Sequence, residues 1–224
     1  MIRPNFANDM EKYRFLEEKL YSPVLSDVMD ELGIKDRVMR ADIRPIHPDN
    51  KVAGRVKTML WMDVYEVYEY PYKVEIEAMD SLKSGDVAVH STGDSQRNAP
   101  WGALMTTAAI ARGARGAVLD AFVRDTKKII ELGFPVFAAG IRPLDSKGRG
   151  YMVAYDCPIE CGGVAMRSGD LIFADYDGVV VVPREAEEEA LVLAIEKVRK
   201  ENLSFKELRE GHLLGDVYAK YKVL

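Results

Sequence analysis

Two cysteines and three histidines in 224 residues set the first limits on this chain. Cys157 and Cys161 are too few for a disulfide framework, and no second thiol pair or nearby histidine completes a tetrahedral zinc site. His47, His90 and His212 are scattered, with no His-x-His or His-Glu pair, which counts against zinc-dependent aldolase chemistry and against a serine–histidine triad. No apolar stretch approaches the ~20 residues of a membrane helix. The amino terminus from Met1 has neither an apolar core nor a cleavage-like site, so a cytoplasmic location without a membrane partner is expected. Positive charge is in deficit: 31 Lys and Arg face 36 Asp and Glu, a net charge of -5, and no basic run appears. A nucleic-acid partner is therefore not expected. No Gly-rich loop follows an early strand with an acidic residue beyond it, so a methyl-donor nucleotide site is absent from the reading. Neither an internal repeat nor a linker interrupts residues 1–224, which read as a single domain.

What is present is an alternation. Residues 1–35 hold two helical patterns, over 9–20 and 22–32, the second with Ser22 as a candidate N-cap, Pro23 in the first turn and Gly33 at its end. Residues 50–183 read as the β-rich core. A strand over 52–62 is followed by an aromatic, acidic stretch over 65–76 that the pattern leaves unassigned. Then come a strand over 87–90, a polar loop over 91–100, a helix over 103–112, a strand over 117–121, a helix over 126–132 and a strand over 135–139. Strand and helix alternating at this spacing imply parallel pairing through right-handed crossovers. Two further strands, 171–174 and 179–182, flank the turn at 175–178, and residues 184–224 read as helical. The class is α/β with helical segments at both ends.

Most of the chemistry gathers in residues 101–125. Gly102 opens a helix whose first amides, from Ala103 to Met105, have no internal acceptor and sit at the positive end of the macrodipole. A carboxylate or phosphate settles there, although every helix start offers such amides. Arg124 and Asp125 stand where a buried strand ends, the edge at which ligands collect in open α/β sheets. Arginine presents a planar fork to carboxylate or enolate oxygens, and aspartate binds hard divalent cations. Asp125 also suits the N-cap of the helix that follows, so each element alone has a plain structural explanation. Because the helix runs antiparallel to the strand after it, helix start and strand end meet at one sheet edge. That convergence suits a small oxo acid held on a metal ion.

The same residues carry a resemblance. Ser26-Asp27, Val52-Ala-Gly-Arg55, Trp101-Gly-Ala-Leu-Met105, Gly113-Ala-Arg-Gly-Ala117, Val123-Arg-Asp125, Phe134-Pro-Val-Phe137, Ser168-Gly-Asp-Leu171 and Asp175-Tyr-Asp-Gly-Val-Val-Val-Val-Pro183 occur in this order. The chain thereby resembles the family of the regulator of ribonuclease activity A and the 4-hydroxy-4-methyl-2-oxoglutarate aldolases, often mislabelled as menaquinone methyltransferases. The resemblance implies a swivelling β/β/α fold, a homo-oligomer (trimer or hexamer), and a site at the subunit interface. It implies Mg2+ or Mn2+ on Asp125, the keto oxygen of pyruvate on Arg124, and the pyruvate carboxylate on the amides of Leu104 and Met105. It also implies a glutamate from the neighbouring subunit's carboxyl-terminal helix, for which Glu201 is the counterpart by position. One departure stands out: aldolase members often carry an acidic residue just after the glycine, for proton transfer, where this chain has Ala103, as the ribonuclease-regulator branch does.

The leading expectation is a divalent-metal-dependent lyase that cleaves a small 2-oxo acid, a 4-hydroxy-2-oxo acid or oxaloacetate, to pyruvate. Arg124, Asp125 and Glu201 are the catalytic candidates, with Gly102, Ala103, Leu104 and Met105 binding substrate. The alternative is a non-enzymatic regulator that binds a ribonuclease or another protein; a sugar-acid lyase is a third. The remainder of the substrate pocket is expected from the polar loop 91–98 and the carboxyl-terminal helices.

Overall fold

Asn8 opens the first helix: its side-chain oxygen accepts the Glu11 amide at 2.9 Å and caps α1 (Asp9–Lys19). In this computed structural model residues 5–223 are described, so the first four residues of the amino-terminal reading lie outside them. The next helix, α2 (Ser22–Glu31), corrects one expectation. Tyr21 occupies the cap position, and Ser22 is already helical. The amide and hydroxyl of Ser22 donate to the Asp175 carboxylate, at 2.8 and 2.6 Å. A carboxylate from the far end of the chain thus neutralises the orphan donors of the helix start, which a serine hydroxyl alone would do less completely.

Next come β1 (Arg44–Pro45), β2 (Val52–Asp63), α3 (Lys73–Asp80), β3 (Asp86–Ser91), α4 (Ala103–Ala111), β4 (Gly116–Val123), α5 (Thr126–Glu131) and β5 (Val136–Ile141). They are followed by β6 (Gly150–Tyr155), β7 (Ile159–Cys161), β8 (Val164–Met166), β9 (Leu171–Asp175), β10 (Gly178–Val182), α6 (Glu187–Arg209) and α7 (Leu214–Tyr221). The main sheet runs β1-β5-β4-β3-β2-β9-β10, with β3 to β5 parallel as the alternation predicts and β2 parallel to β3 as well. The strand β2 is long enough to serve two partners. Its first residues pair antiparallel with β9, from Val52 against Ala174 to Arg55 against Leu171, and its last with β6, from Met59 against Tyr155 to Asp63 against Gly150.

The parallel strands are buried on both faces, hence their nearly unbroken apolar runs. Val87, Val89, Val118 and Phe137 point into a cluster closed by β7, β8 and Ile172. Ala88, Ala117, Leu119, Val136 and Ala138 point to the other face, under Ala78 and Met79 of α3, Ala109 of α4 and Ile129 of α5. A third cluster joins α1, α2 and α6 to Phe173 and Val180. The α/β class with helices at both ends is the one observed. The α3 helix, within the unassigned aromatic stretch and beyond it, and the short strands β1 and β6 to β8 escaped the sequence pattern. The segments after β3 and β4 leave the carboxyl ends of adjacent parallel strands, where an α/β sheet opens a crevice.

Candidate active site

The start of α4 is fastened to the end of β4. Trp101 bridges Val123 in parallel, and the Arg124 amide donates to the Trp101 carbonyl at 3.0 Å. The Trp101 ring is buried, stacks on Phe134 and donates its indole N–H to Thr106 Oγ1 at 2.9 Å. Gly102 follows in extended backbone. A Cβ there would stand 2.8 Å from Asp125 Oδ2 and 3.2 Å from both Cγ and Nε of Arg124. A side chain at this position would have to displace both, so glycine is what lets the two lie over the first turn of α4.

Asp125 precedes α5 as the cap reading requires, yet its side chain makes no capping bond there. The residue is left-handed, φ 58°, a conformation that aspartate tolerates better than most residues. Its carboxylate turns back instead, and Oδ2 accepts the Ala103 amide at 3.1 Å. This corrects the view of Ala103 as a free part of the substrate cradle: its amide is taken by Asp125, and the residue borders a more open hollow beside Lys127 and Lys128. Leu104 and Met105, still in the first turn and without intrahelical acceptors for their amides, line the cleft proper.

That cleft encloses about 470 Å³ and is bordered by Gly102, Leu104, Met105, Arg124 and Asp125 together with Tyr72, Glu75 and Asp145. Arg124 Nη2 lies 3.4 Å from Asp145 Oδ1, and the Tyr72 hydroxyl donates to the other Asp145 oxygen at 3.1 Å. Both Arg124 and Asp145 are part-exposed, so the pair orients the guanidinium more than it stabilises the fold. Burial raises the Tyr72 hydroxyl above its usual range, and the bond to Asp145 adds to that. Glu75 is only 7 % exposed, and its Oε2 has no hydrogen-bond partner among the described residues. Its carboxyl is pushed up to about 7, chiefly by burial and further by the Asp145 charge, with Arg124 opposing.

Sequence reasoning did not find Tyr72, Glu75 or Asp145. A signal for the first two existed: Tyr72, Glu75, Ile76 and Met79 follow helical spacing, and all four face the cleft. The loop 91–98 does not border it. Thr92 bonds to Asp120 at 2.7 and 2.8 Å and Ser95 to Asp63 at 2.6 Å, while Ala99 and Pro100 form the wall. Glu201 lies on α6, where it accepts the Tyr21 hydroxyl, and it is not among the lining residues. A groove of about 930 Å³ between α1 and α6 is larger, but charged side chains border it without converging on a point.

Among the described residues no three His, Cys, Asp or Glu side chains converge as a closed metal cage. At the start of α4 the donor is one carboxylate, Asp125, beside Arg124, while Glu75, Asp80 and Asp145 lie elsewhere on the cleft wall. This suits a hard divalent cation that keeps waters and takes its remaining ligands from substrate oxygens, as Mg2+ does with one or two carboxylates. It does not suit a structural zinc site.

The family model RraA-like, described as Aldolase/RraA, matches residues 22–181. A Halalkalibacterium halodurans protein named "Putative 4-hydroxy-4-methyl-2-oxoglutarate aldolase" is 33% identical over 174 residues, 77% of this chain and 77% of that one. Protein DlpA of Legionella pneumophila is 29% identical over 170 residues, 76% of this chain, and the match spans only 27% of that longer protein. Among solved structures, Streptomyces coelicolor RraAS2, an unusual member of the RNase ES inhibitor RraA protein family, superposes with a TM-score of 0.79 at 28% identity, covering 87% of this chain and 96% of the other.

Proposed function

The chain belongs to the RraA-like family, and from that footing we propose that its cleft cleaves a small 2-oxo acid, a 4-hydroxy-2-oxo acid or oxaloacetate, releasing pyruvate. The observation that carries this is Gly102: the missing side chain lets Arg124 and Asp125 sit against the first turn of α4. The amides of Leu104 and Met105, at the positive end of that helix, take the substrate carboxylate. The Arg124 fork takes the C2 oxygen, on which negative charge develops as the C3–C4 bond breaks. Asp145, hydrogen-bonded by Tyr72, holds the guanidinium toward that oxygen. Asp125 would hold Mg2+ or Mn2+, whose chemistry when bound is Lewis-acid polarisation of the C2 carbonyl. Glu201 needs a second copy of the chain to reach a cleft, so its role goes with a trimer or hexamer.

Pyruvate release, measured with Mg2+ or Mn2+ over a panel of 4-hydroxy-2-oxo acids and oxaloacetate, tests the reading. Arg124→Ala and Asp125→Ala each lower kcat by ~10²–10³-fold, the usual loss for one charge-stabilising group. Activity kept in Asp125→Ala, or indifferent to a chelator, rejects it.

Ala103 favours a second reading, since the side chain nearest the helix tip brings no acid. On this reading the protein is a regulator that binds a ribonuclease, as the name of the Streptomyces coelicolor neighbour suggests for that protein. Specific retention of a ribonuclease, with no pyruvate formed from any substrate of the panel, selects it.

A further inference from the structure

We propose that Glu75 is the proton-carrying group of this cleft, accepting the proton of the substrate's C4 hydroxyl as the C3–C4 bond breaks and returning it to C3 of the pyruvate enolate. The inference rests on the lyase reading above. The electron pair of the C3–C4 bond becomes the enolate, C4 becomes the carbonyl of the second product, and the O–H proton passes to the carboxylate. When the enolate collapses to the C2 carbonyl, the same proton moves to C3 and becomes part of the pyruvate methyl group. Glu75 ends as it began, and no oxidant, reductant or net proton is required.

Position is the first argument. Glu75 projects from α3 on the face it shares with Tyr72, Ile76 and Met79, into the cleft that Arg124 and the start of α4 border. Its surroundings are the second. Other buried carboxylates of this chain are answered: Asp175 by Ser22, Asp120 by Thr92, Glu187 by Lys12 and Arg55. Glu75 has a buried oxygen with no partner among the described residues, an arrangement that costs stability and gives the fold nothing in return. The helix start is the third, because Ala103 contributes no acid or base there and the one carboxylate present, Asp125, is spent on the Ala103 amide and the cation.

The titratable groups facing the same cleft are Tyr72 and Asp80 from α3, Arg124 and Asp125 from the turn after β4, and Asp145 from the loop after β5, while α4 contributes none. Burial and the Asp145 charge bring Glu75 to about 7, against the pull of Arg124, so both of its forms are populated near neutrality. A group that must accept and then donate a proton works best there.

The test compares wild type, Glu75→Gln and Glu75→Asp with Mg2+ present. One assay follows cleavage of 4-hydroxy-4-methyl-2-oxoglutarate, and the other follows deuterium entry into the methyl group of pyruvate by NMR. Wild type shows a rate that rises with pH through about 7. Glu75→Gln loses ~10²–10⁴-fold in both assays together with that rise, and Glu75→Asp recovers part of each. In the metal-free protein, infrared titration finds one carboxyl ionising near 7 that is missing from Glu75→Gln. A folded Glu75→Gln with wild-type exchange and cleavage overturns this role and leaves the lyase reading standing. So does the lack of any carboxyl that ionises well above the usual carboxylate range. A wild type that makes no pyruvate and exchanges no methyl proton overturns both.

Discussion

Two buried glutamates show how differently the two sides of this molecule treat charge. Glu187, at the start of α6, lies between Lys12 of α1, 2.8 Å away, and Arg55 of β2. Burial pushes its carboxyl up, but the hydrogen bonds from Arg55 and Lys12 outweigh that and hold it below the usual carboxylate range. Glu75, on α3, is as deeply placed and meets no cation at hydrogen-bond distance among the described residues; its carboxyl moves the other way. The side built from α1, α2, α6 and β9–β10 pairs its buried carboxylates, Glu187 with Lys12 and Arg55 and Asp175 with Ser22. The side built from α3, α4 and the turn after β4 leaves an acid unpaired, a left-handed aspartate and a glycine pressed by two charged side chains. Local cost of this kind gathers where a protein binds and reacts.

The contrast can be broken most severely at Glu187. Glu187→Gln leaves Lys12 and Arg55 facing an uncharged amide in a desolvated site, and the expected loss is about 3–5 kcal/mol in urea unfolding. Glu75→Gln works in the opposite sense. Because the folded-state carboxyl is raised from 4.5 to about 7, its ionisation destabilises the fold as pH rises through that window. The variant is therefore more stable than wild type at pH ~8, by on the order of 3 kcal/mol, with the difference vanishing below pH ~4. Calorimetry at the two pH values reads both the sign and the window. The smallest effect belongs to Ser22→Ala, which keeps the amide bond to Asp175 but loses the hydroxyl, for about 1 kcal/mol. A larger loss there than at Glu187 would contradict the ordering.

The sequence made the helix start at Gly102 and the strand end at Arg124 and Asp125 legible, since both depend on local patterns: a small-residue helix after a glycine, and an apolar strand ending in charge. The parallel pairing of β3 to β5 followed from alternation alone. The cleft's other wall did not. Tyr70, Pro71 and Tyr72 obscure the helical spacing that begins just after them, so α3 was missed and Glu75 and Tyr72 with it. Asp145 comes from a loop that only the fold brings to Arg124. The strands β7 and β8 have three residues each, too short for period-two alternation to register. Ala103 shows a different limit: pattern reveals that its amide lacks an intrahelical acceptor, but not that Asp125 fills the vacancy.

The length of β2 has a mechanical consequence. Its opening residues are stitched to β9, beside the ionic side, and its closing residues to β6, which packs under α3 beside the cleft. A slip of one residue along this strand would turn both sets of side chains inside out at once. The quiet half and the reactive half are therefore measured against a single ruler, and amide exchange along β2 should report one common opening, with no separate melting of either end.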